Sequence, residues 1–373
     1  MNDPKISATA LPKTTNEKIA WLRLARSRRV GPATFVRLLN EYGSAANALN
    51  ALPEIAEKSG AKNYSPCALS SAKSEFERGL YAGYKPLFLG DPTYPKLLAE
   101  APDAPAFLWA SGRREIADAP SIGLVGARNA SSLGRRVATT IAQDLGEMGY
   151  TVISGLARGI DTAAHKAALP AKTIAVVAGG IDIPYPKENA DLMDRIKSEG
   201  LVLSEQPLGL HPQARHFPQR NRIIAGLVEA LCVIEGAARS GSLITARAAS
   251  DLGREVMAVP GNPFDPRAAG CNALIRDGAV LIRNARDIQE ALAKPNATPH
   301  EVATFTPSMK PKGADEDHIQ TRILDMLSGS AVAEDIVIRD SGYAAEHVAR
   351  HLAKLELAGQ VLRQPGGLLA RAG

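Results

Sequence analysis

Aromatic side chains are scarce in this 373-residue chain, at 5% of positions, although apolar residues overall reach 45%. A core must then be filled largely by Ala, Leu, Ile and Val, which suits helices packed on a parallel sheet better than a β-sandwich. Cysteine is nearly absent: Cys67, Cys232 and Cys271 lie far apart, with no C-x-x-C pair. That spacing excludes a disulfide framework and a cysteine zinc site, and a reducing cytoplasm is the expected compartment. Cys232 falls inside the apolar run Leu231-Cys232-Val233-Ile234 and reads as a small core filler. No apolar run reaches membrane-spanning length, and the opening residues MNDPKISATALPK hold no hydrophobic signal core. The expectation is a soluble protein with no membrane partner. The histidines show no ligand spacing, so no metal is expected either.

Charge is mild, at +5 with an isoelectric point near 9.0, which permits a polyanionic partner without demanding one. The length suits two or three domains. Residues 1–84 read as an N-terminal helical module. Ile19, Leu22, Leu24 and Ala25 repeat at helical spacing, Val30-Gly31-Pro32 breaks the run, and Phe35, Val36, Leu38 and Leu39 resume it. Two short helices around a Gly-Pro turn resemble a helix-hairpin-helix, whose second helix can hold a phosphate at its N-terminus. Arg23, Arg26, Arg28 and Arg29 precede the turn; the plainer reading is an αα-hairpin with a solvated basic face. Residues 85–120 repeat proline and read as an extended connector rather than regular structure. Residues 295–316 are rich in Pro, Thr and Lys and read as a linker. Residues 317–373 regain helical periodicity and close on Pro365-Gly366-Gly367, a small winged-helix pattern.

Between them, residues 121–294 alternate. Apolar runs of strand length at 122–125, 151–153, 173–177, 201–203, 231–234, 256–259 and 280–282 are separated by helical stretches such as 134–148, 163–168 and 243–252. Strands that are apolar throughout and separated by helices predict a mostly parallel, doubly wound, Rossmann-like α/β sheet covered on both faces. In such sheets ligands sit at the carboxyl ends of the strands. Those ends carry Gly126-Ala127-Arg128-Asn129 with Ser131, then Gly155 with Arg158, then Lys187 and Asn189. Further on come Arg215-His216-Phe217-Pro218-Gln219-Arg220-Asn221-Arg222 and Arg239-Ser240-Gly241-Ser242. Glycines let backbone N–H groups approach an oxyanion, helix N-termini favour negative charge, and hydroxyl and amide groups complete the shell. A ligand with several phosphates is expected. Phe217 is the one aromatic among the cations of these loops; it reads as a surface for a stacked base, with Arg215, Arg220 and Arg222 on the backbone. The plainer reading makes Phe217 a core plug and pairs Arg220 or Arg222 with a carboxylate.

What is missing narrows the chemistry. Gly126-Ala127-Arg128 replaces the opening of G-x-G-x-x-G, and the second strand ends in Ser154-Gly155 instead of an acid, against a dinucleotide cofactor. G-x-x-x-x-G-K-[ST] is absent. Asp161 and His165, four apart, read as an N-cap and a helical side-chain pair rather than a dyad. Ser240-Gly241-Ser242 lacks the G-x-S-x-G elbow. With no nucleophile–base pair in the sequence, a binding protein without a cofactor is expected, not an enzyme. The rival is a nucleotide-processing enzyme of the lysine-decarboxylase-like phosphoribohydrolase type. Its P-G-G-x-G-T-x-x-E loop corresponds here to the stretch from Gly236 to Ala246, where the glutamate does not follow. A protein scaffold that binds no DNA is a third reading, and it leaves the glycine-and-arginine arrangement unexplained.

Five stretches closely resemble the DNA-processing protein DprA (Smf) family: Val125–Arg128, Ser154–Asp161, Tyr185–Asn189, Phe217–Leu227 and Ser240–Ala246. Val30-Gly31-Pro32 resembles that family's N-terminal module, and Leu355-Glu356-Leu357-Ala358-Gly359 its winged-helix module. The resemblance implies a dimeric cytoplasmic protein that binds single-stranded DNA and loads RecA onto it in natural transformation. By motif position it assigns Arg128 and Lys187 to DNA contact, with Phe217–Arg222 beside them. Ala127 departs from the usual serine and removes one hydroxyl donor. In the C-terminal module acids outnumber cations, so a protein-contact or regulatory role is expected there rather than DNA reading.

Overall fold

Mostly apolar runs of two to six residues, too short for helices, become the strands of one sheet. The computed structural model describes residues 6, 10–58, 63–293, 316–327, 332–364 and 368–372. They divide into two compact units, Met1–Lys294 and Pro295–Gly373.

The first unit opens with four helices: α1 (Thr15–Ala25), α2 (Pro32–Tyr42), α3 (Ala45–Lys58) and α4 (Leu69–Tyr81). Thr14 and Glu17 form a reciprocal capping box on α1. Pro32 opens α2, where its missing N–H costs nothing, and Gly43 closes it in the left-handed region. Of the four arginines before that turn, Arg23 donates to Cys67 O, and Arg26 pairs with Glu75 at 2.8 Å and lies over Phe107. Two of the expected basic-face residues therefore tie helices together, and Arg28 and Arg29 stay exposed.

The sheet follows: β1 (Lys85–Phe88), α5 (Lys96–Ala99), β2 (Phe107–Gly112), β3 (Ser121–Val125), α6 (Ser132–Glu147), β4 (Thr151–Ser154), α7 (Ile160–Ala168) and β5 (Thr173–Val176). Then come α8 (Ala190–Glu199), β6 (Leu201–Ser204), α9 (His216–Leu227), β7 (Ala230–Val233), α10 (Gly241–Asp251), β8 (Glu255–Ala258), α11 (Ala269–Arg276), β9 (Val280–Leu281) and α12 (Ala285–Leu292). Strand order is β1-β2-β6-β5-β4-β3-β7-β8-β9, parallel from β6 to β9. Side chains alternate between faces: Ile174 and Val176 of β5 join a core with α9 and α10, and Ala175 packs against α8.

Two expectations need correction. Residues 85–120 are not a connector without regular structure: β1 and β2 form an antiparallel pair, and β2 continues antiparallel onto β6. Proline hid this, because Pro86 sits in the edge strand, where a missing N–H is tolerated. The 1–84 module also shares its core with the sheet. Trp21 contacts Phe35 and Phe88, Phe88 contacts Phe107, and Phe107 contacts Trp109, which meets Phe76. Trp21 Nε1 donates to Ala106 O and Trp109 Nε1 to Glu75, so both buried indoles are satisfied.

The second unit holds α13 (Glu316–Met326), β10 (Val332–Ala333), α14 (Glu334–Ser341), α15 (Ala345–Leu357), β11 (Val361–Gln364) and β12 (Leu368–Arg371). Its sheet runs β10-β12-β11 over a core of Ile323, Val337, Val348, Leu352 and Leu369. This is the expected winged-helix arrangement. Arg363 pairs with Glu334 and Glu356, and Arg339 with Asp340. Residues 295–315 of the expected linker and the Pro365–Gly367 turn lie outside the described residues.

Candidate nucleic-acid interface

The chain runs outward from β3 to β6, then returns to place β7 on the other side of β3. Loops leaving β3 and β7 therefore diverge, and a crevice opens between them at the carboxyl edge. Gly126 leads out of β3; a β-carbon there would meet Ile160 at 2.6 Å and the Glu235 carbonyl at 2.9 Å. Its loop ends at Ser131, which caps α6 by accepting from Gly134 N at 2.8 Å. Glu235, just past β7, accepts from both the Ser131 N–H and the Ser131 hydroxyl. A carboxylate of the chain itself thus occupies the head of α6, where a helix dipole favours negative charge. Ser131 is engaged there, contrary to the expectation of a phosphate at that helix.

Arg128 is exposed, and its guanidinium carbon lies 4.6 Å from the centre of the Phe217 ring. Tyr185 also meets Phe217, with ring centres 5.7 Å apart, and lines the same pocket as Arg128. Phe217 is half-buried, so it is neither a core plug nor free. Lys187 is exposed two residues beyond Tyr185, across a cis Tyr185-Pro186 bond. Among the described residues no carboxylate pairs with Arg128 or Lys187. Arg158 pairs with Glu188 on the surface, and Asn129 is exposed beside Arg128. Asn189 is buried and donates to Leu156 O and Thr162 Oγ1, both at 2.9 Å, which fixes the loop after β4 instead of reaching for a ligand.

The stretch read as a loop from Phe217 to Arg222 is the first half of α9, and the helix sorts its cations by face. Arg215 is exposed at the helix head. Arg220 turns inward, 6% exposed, with Nη1 donating to Val176 O at 3.3 Å and its guanidinium packed on Gly155. Beneath it lies Asp161, which accepts from Gly155 N and Ala157 N, each at 3.2 Å. Burial pushes the Asp161 pKa up against the pull of Arg220, and burial lowers that of Arg220 against the pull of Asp161. Arg222 points elsewhere, into a hollow near Arg26, and pairs with Glu205 at 2.5 Å and with Asp103. The expected backbone role of Arg222 is therefore replaced by an ion pair.

On the other wall, α10 begins at Gly241. Ser240 and Ser242 hydroxyls bond each other at 2.7 Å, and Asn221 Nδ2 donates to Gly241 O. No described side chain caps this helix, and its first residues, Gly241 and Ser242, line a cavity of about 290 Å³ together with Gly126, Arg128, Arg220 and Thr245. Arg220 lines this cavity, and its buried Nε has no hydrogen-bond partner among the described residues. Arg239 is exposed just before the helix. The crevice thus gathers Gly126, Arg128, Gly155, Phe217, Arg220, Asn221 and Ser240–Ser242, and leaves Arg222 outside. Sequence reasoning missed Tyr185, Glu235 and the loop-holding role of Asp161. Tyr185, an aromatic two residues before Lys187, was the readable signal; nothing in the sequence pairs Glu235 with Ser131.

A cationic, amide-lined edge with a half-buried aromatic is chemistry for a nucleic-acid backbone. Residues 85–293 match the family model described as DNA recombination-mediator protein A. The chain belongs to that family. Residues 15–77 match the DprA-like N-terminal HHH domain and residues 307–367 the DprA winged helix domain. Protein Smf of Synechocystis sp. is 32% identical across 94% of this chain and 98% of its own length. Among solved structures, DNA processing protein A from Streptococcus pneumoniae superposes with a TM-score of 0.63 at 36% identity, over 74% of this chain and 98% of that one. The homologue from Helicobacter pylori gives a TM-score of 0.52 at 27% identity, over 56% of this chain and 95% of that one, in a structure describing that protein's single-stranded DNA binding mode.

Proposed function

We propose that this chain is a single-stranded DNA-binding recombination mediator that acts without catalysis or cofactor. It grips the strand at the carboxyl edge of its sheet. The observation that carries the reading is Arg128 stacked on Phe217 beside Tyr185, with Lys187 two residues beyond Tyr185 and no carboxylate among the described residues neutralising either cation. Aromatic faces accept any base, and cations follow the backbone, so the expected binding is strong on single strands and tolerant of sequence. Membership of the recombination-mediator family and the Helicobacter pylori relative support the same ligand. Protection of incoming DNA, loading of RecA, a homodimer and a cytoplasmic setting extend the proposal along the family's line. A protein-contact role for the winged-helix unit fits its ion-paired arginines.

Filter binding of single- and double-stranded oligonucleotides across a salt series tests it, with Arg128→Ala and Lys187→Ala alongside. Binding should favour single strands and fall with salt, and each variant should weaken it with the fold intact. Wild-type affinity in the double variant overturns the site. The phosphoribohydrolase alternative is not favoured by these matches; release of free base from a nucleoside monophosphate would reinstate it.

A further inference from the structure

Arg128 does not serve the Phe217 crevice alone. It also stands at the mouth of a separate groove of about 630 Å³ between α6 and α7. The floor of that groove is small: Gly159, Thr162, Ala163 and Ala167 from the α7 side and Thr139 from α6. Its rim carries Arg135, Arg158 and Lys166. The only acid lining it among the described residues is Glu188, already paired with Arg158 on the surface, where such pairs are weak. Arg135 donates to Ala130 O and Ser132 Oγ, both neutral, and makes no ion pair among the described residues. Lys166 is exposed and makes no ion pair among the described residues.

We infer that this groove is an exit channel for single-stranded DNA, carrying the backbone away from Phe217 past Arg128 to Arg135 and Lys166; the inference rests on the function proposed above. Three features favour this occupant. The groove adjoins the crevice, because Arg128 and Arg158 line both. Small floor residues let a sugar–phosphate chain come close, and the rim offers cations at intervals along two helices. No aromatic lines it, so bases have no stacking surface there and the contact reads backbone charge only. A protein partner would also want a desolvated Trp or Tyr anchor or a pocket to receive one, and the lining is small and polar with no aromatic among the described residues.

The test compares oligothymidylates of roughly 4 and 16 nucleotides, the span of ordinary single-strand sites. Binding to the full-length protein and to Arg135→Gln/Lys166→Gln is followed by fluorescence anisotropy over a salt series. Each phosphate contact on a single strand contributes about 0.7 to the slope of log K against log salt, so the double variant should lose roughly 1.4 on the long strand. On the short strand its slope should be unchanged. Restoring charge with Arg135→Lys/Lys166→Arg should restore the long-strand slope. If the double variant melts early, Lys166→Glu alone serves, with weaker long-strand binding expected. A long-strand slope unchanged in the double variant, while wild type binds both lengths, overturns the groove and leaves the crevice standing. A loss in Arg239→Gln instead would send the strand across α10 and also overturn it. Wild type that binds neither length overturns both readings together.

Discussion

Gly155→Ala is the most demanding test of how the crevice is held. A β-carbon at Gly155 would lie 1.2 Å from Arg220 Nη1 and 2.2 Å from Cζ. The tip of an arginine can ordinarily swing away, but this one is 6% exposed, bonded to Val176 O and facing buried Asp161. Making room for one methyl therefore means expelling the guanidinium and leaving Asp161 without its counter-charge. The two groups interact through charge without a direct ion pair, so the roughly 3–5 kcal/mol for breaking a buried pair is an upper bound. At about 2–4 °C per kcal/mol, Tm should fall by several degrees and by no more than roughly 20 °C. The assay is a double-mutant cycle by thermal or urea unfolding: Gly155→Ala, Arg220→Ala and the two combined. If alanine acts by displacing Arg220, it has little left to disturb once Arg220 is gone, and the combined variant should be no worse than the poorer single one. Losses that add to within about 0.5 kcal/mol would show the two positions to be independent and refute the argument.

Three further outcomes are expected. Phe217→Ala should weaken single-strand binding by about 1–3 kcal/mol, roughly 5- to 150-fold, measured by anisotropy with Tm little changed. Arg222→Ala should do the reverse: its charge is spent on Glu205 and Asp103, so the salt slope of binding should hold while Tm drops, read by the same two assays. His165 is fully buried, and burial with nearby Arg220 pushes its pKa down to about 3 from 6.5. The unfolded chain then binds the extra proton between those values, so stability is complete above about pH 6.5 and is lost as pH falls toward 3. The full loss is on the order of 5 kcal/mol, and urea midpoints measured from pH 7 to pH 4 should lose part of their slope in His165→Gln.

The parallel part of the sheet was legible because its strands are buried on both faces and leave an unbroken apolar signature. Leu231-Cys232-Val233 and Thr173–Val176 could be little else. The crevice was legible for a related reason: strand ends in such a sheet must carry the ligand groups, and Gly126, Arg128, Ser240 and Gly241 stand there. Residues whose meaning depends on a distant partner were not legible. Phe107-Leu108-Trp109-Ala110 is as apolar as any strand, yet it was lost among prolines that belong to its edges. The charges in Gln219-Arg220-Asn221-Arg222 masked the helix of α9, whose second half, Ile223–Leu227, is wholly buried. Helical phase then turned Arg220 toward Asp161 and Arg222 toward Glu205, a distinction invisible until the helix itself is known.

The interlocked rings of Trp21, Phe35, Phe88, Phe107 and Trp109 have a mechanical consequence. A hinge between the amino-terminal helices and the sheet would have to pull indoles out of their sockets, so none is available there. Whatever grasps the helical end holds the sheet, and with it the sheet's carboxyl edge, at a fixed angle, as a handle holds a blade.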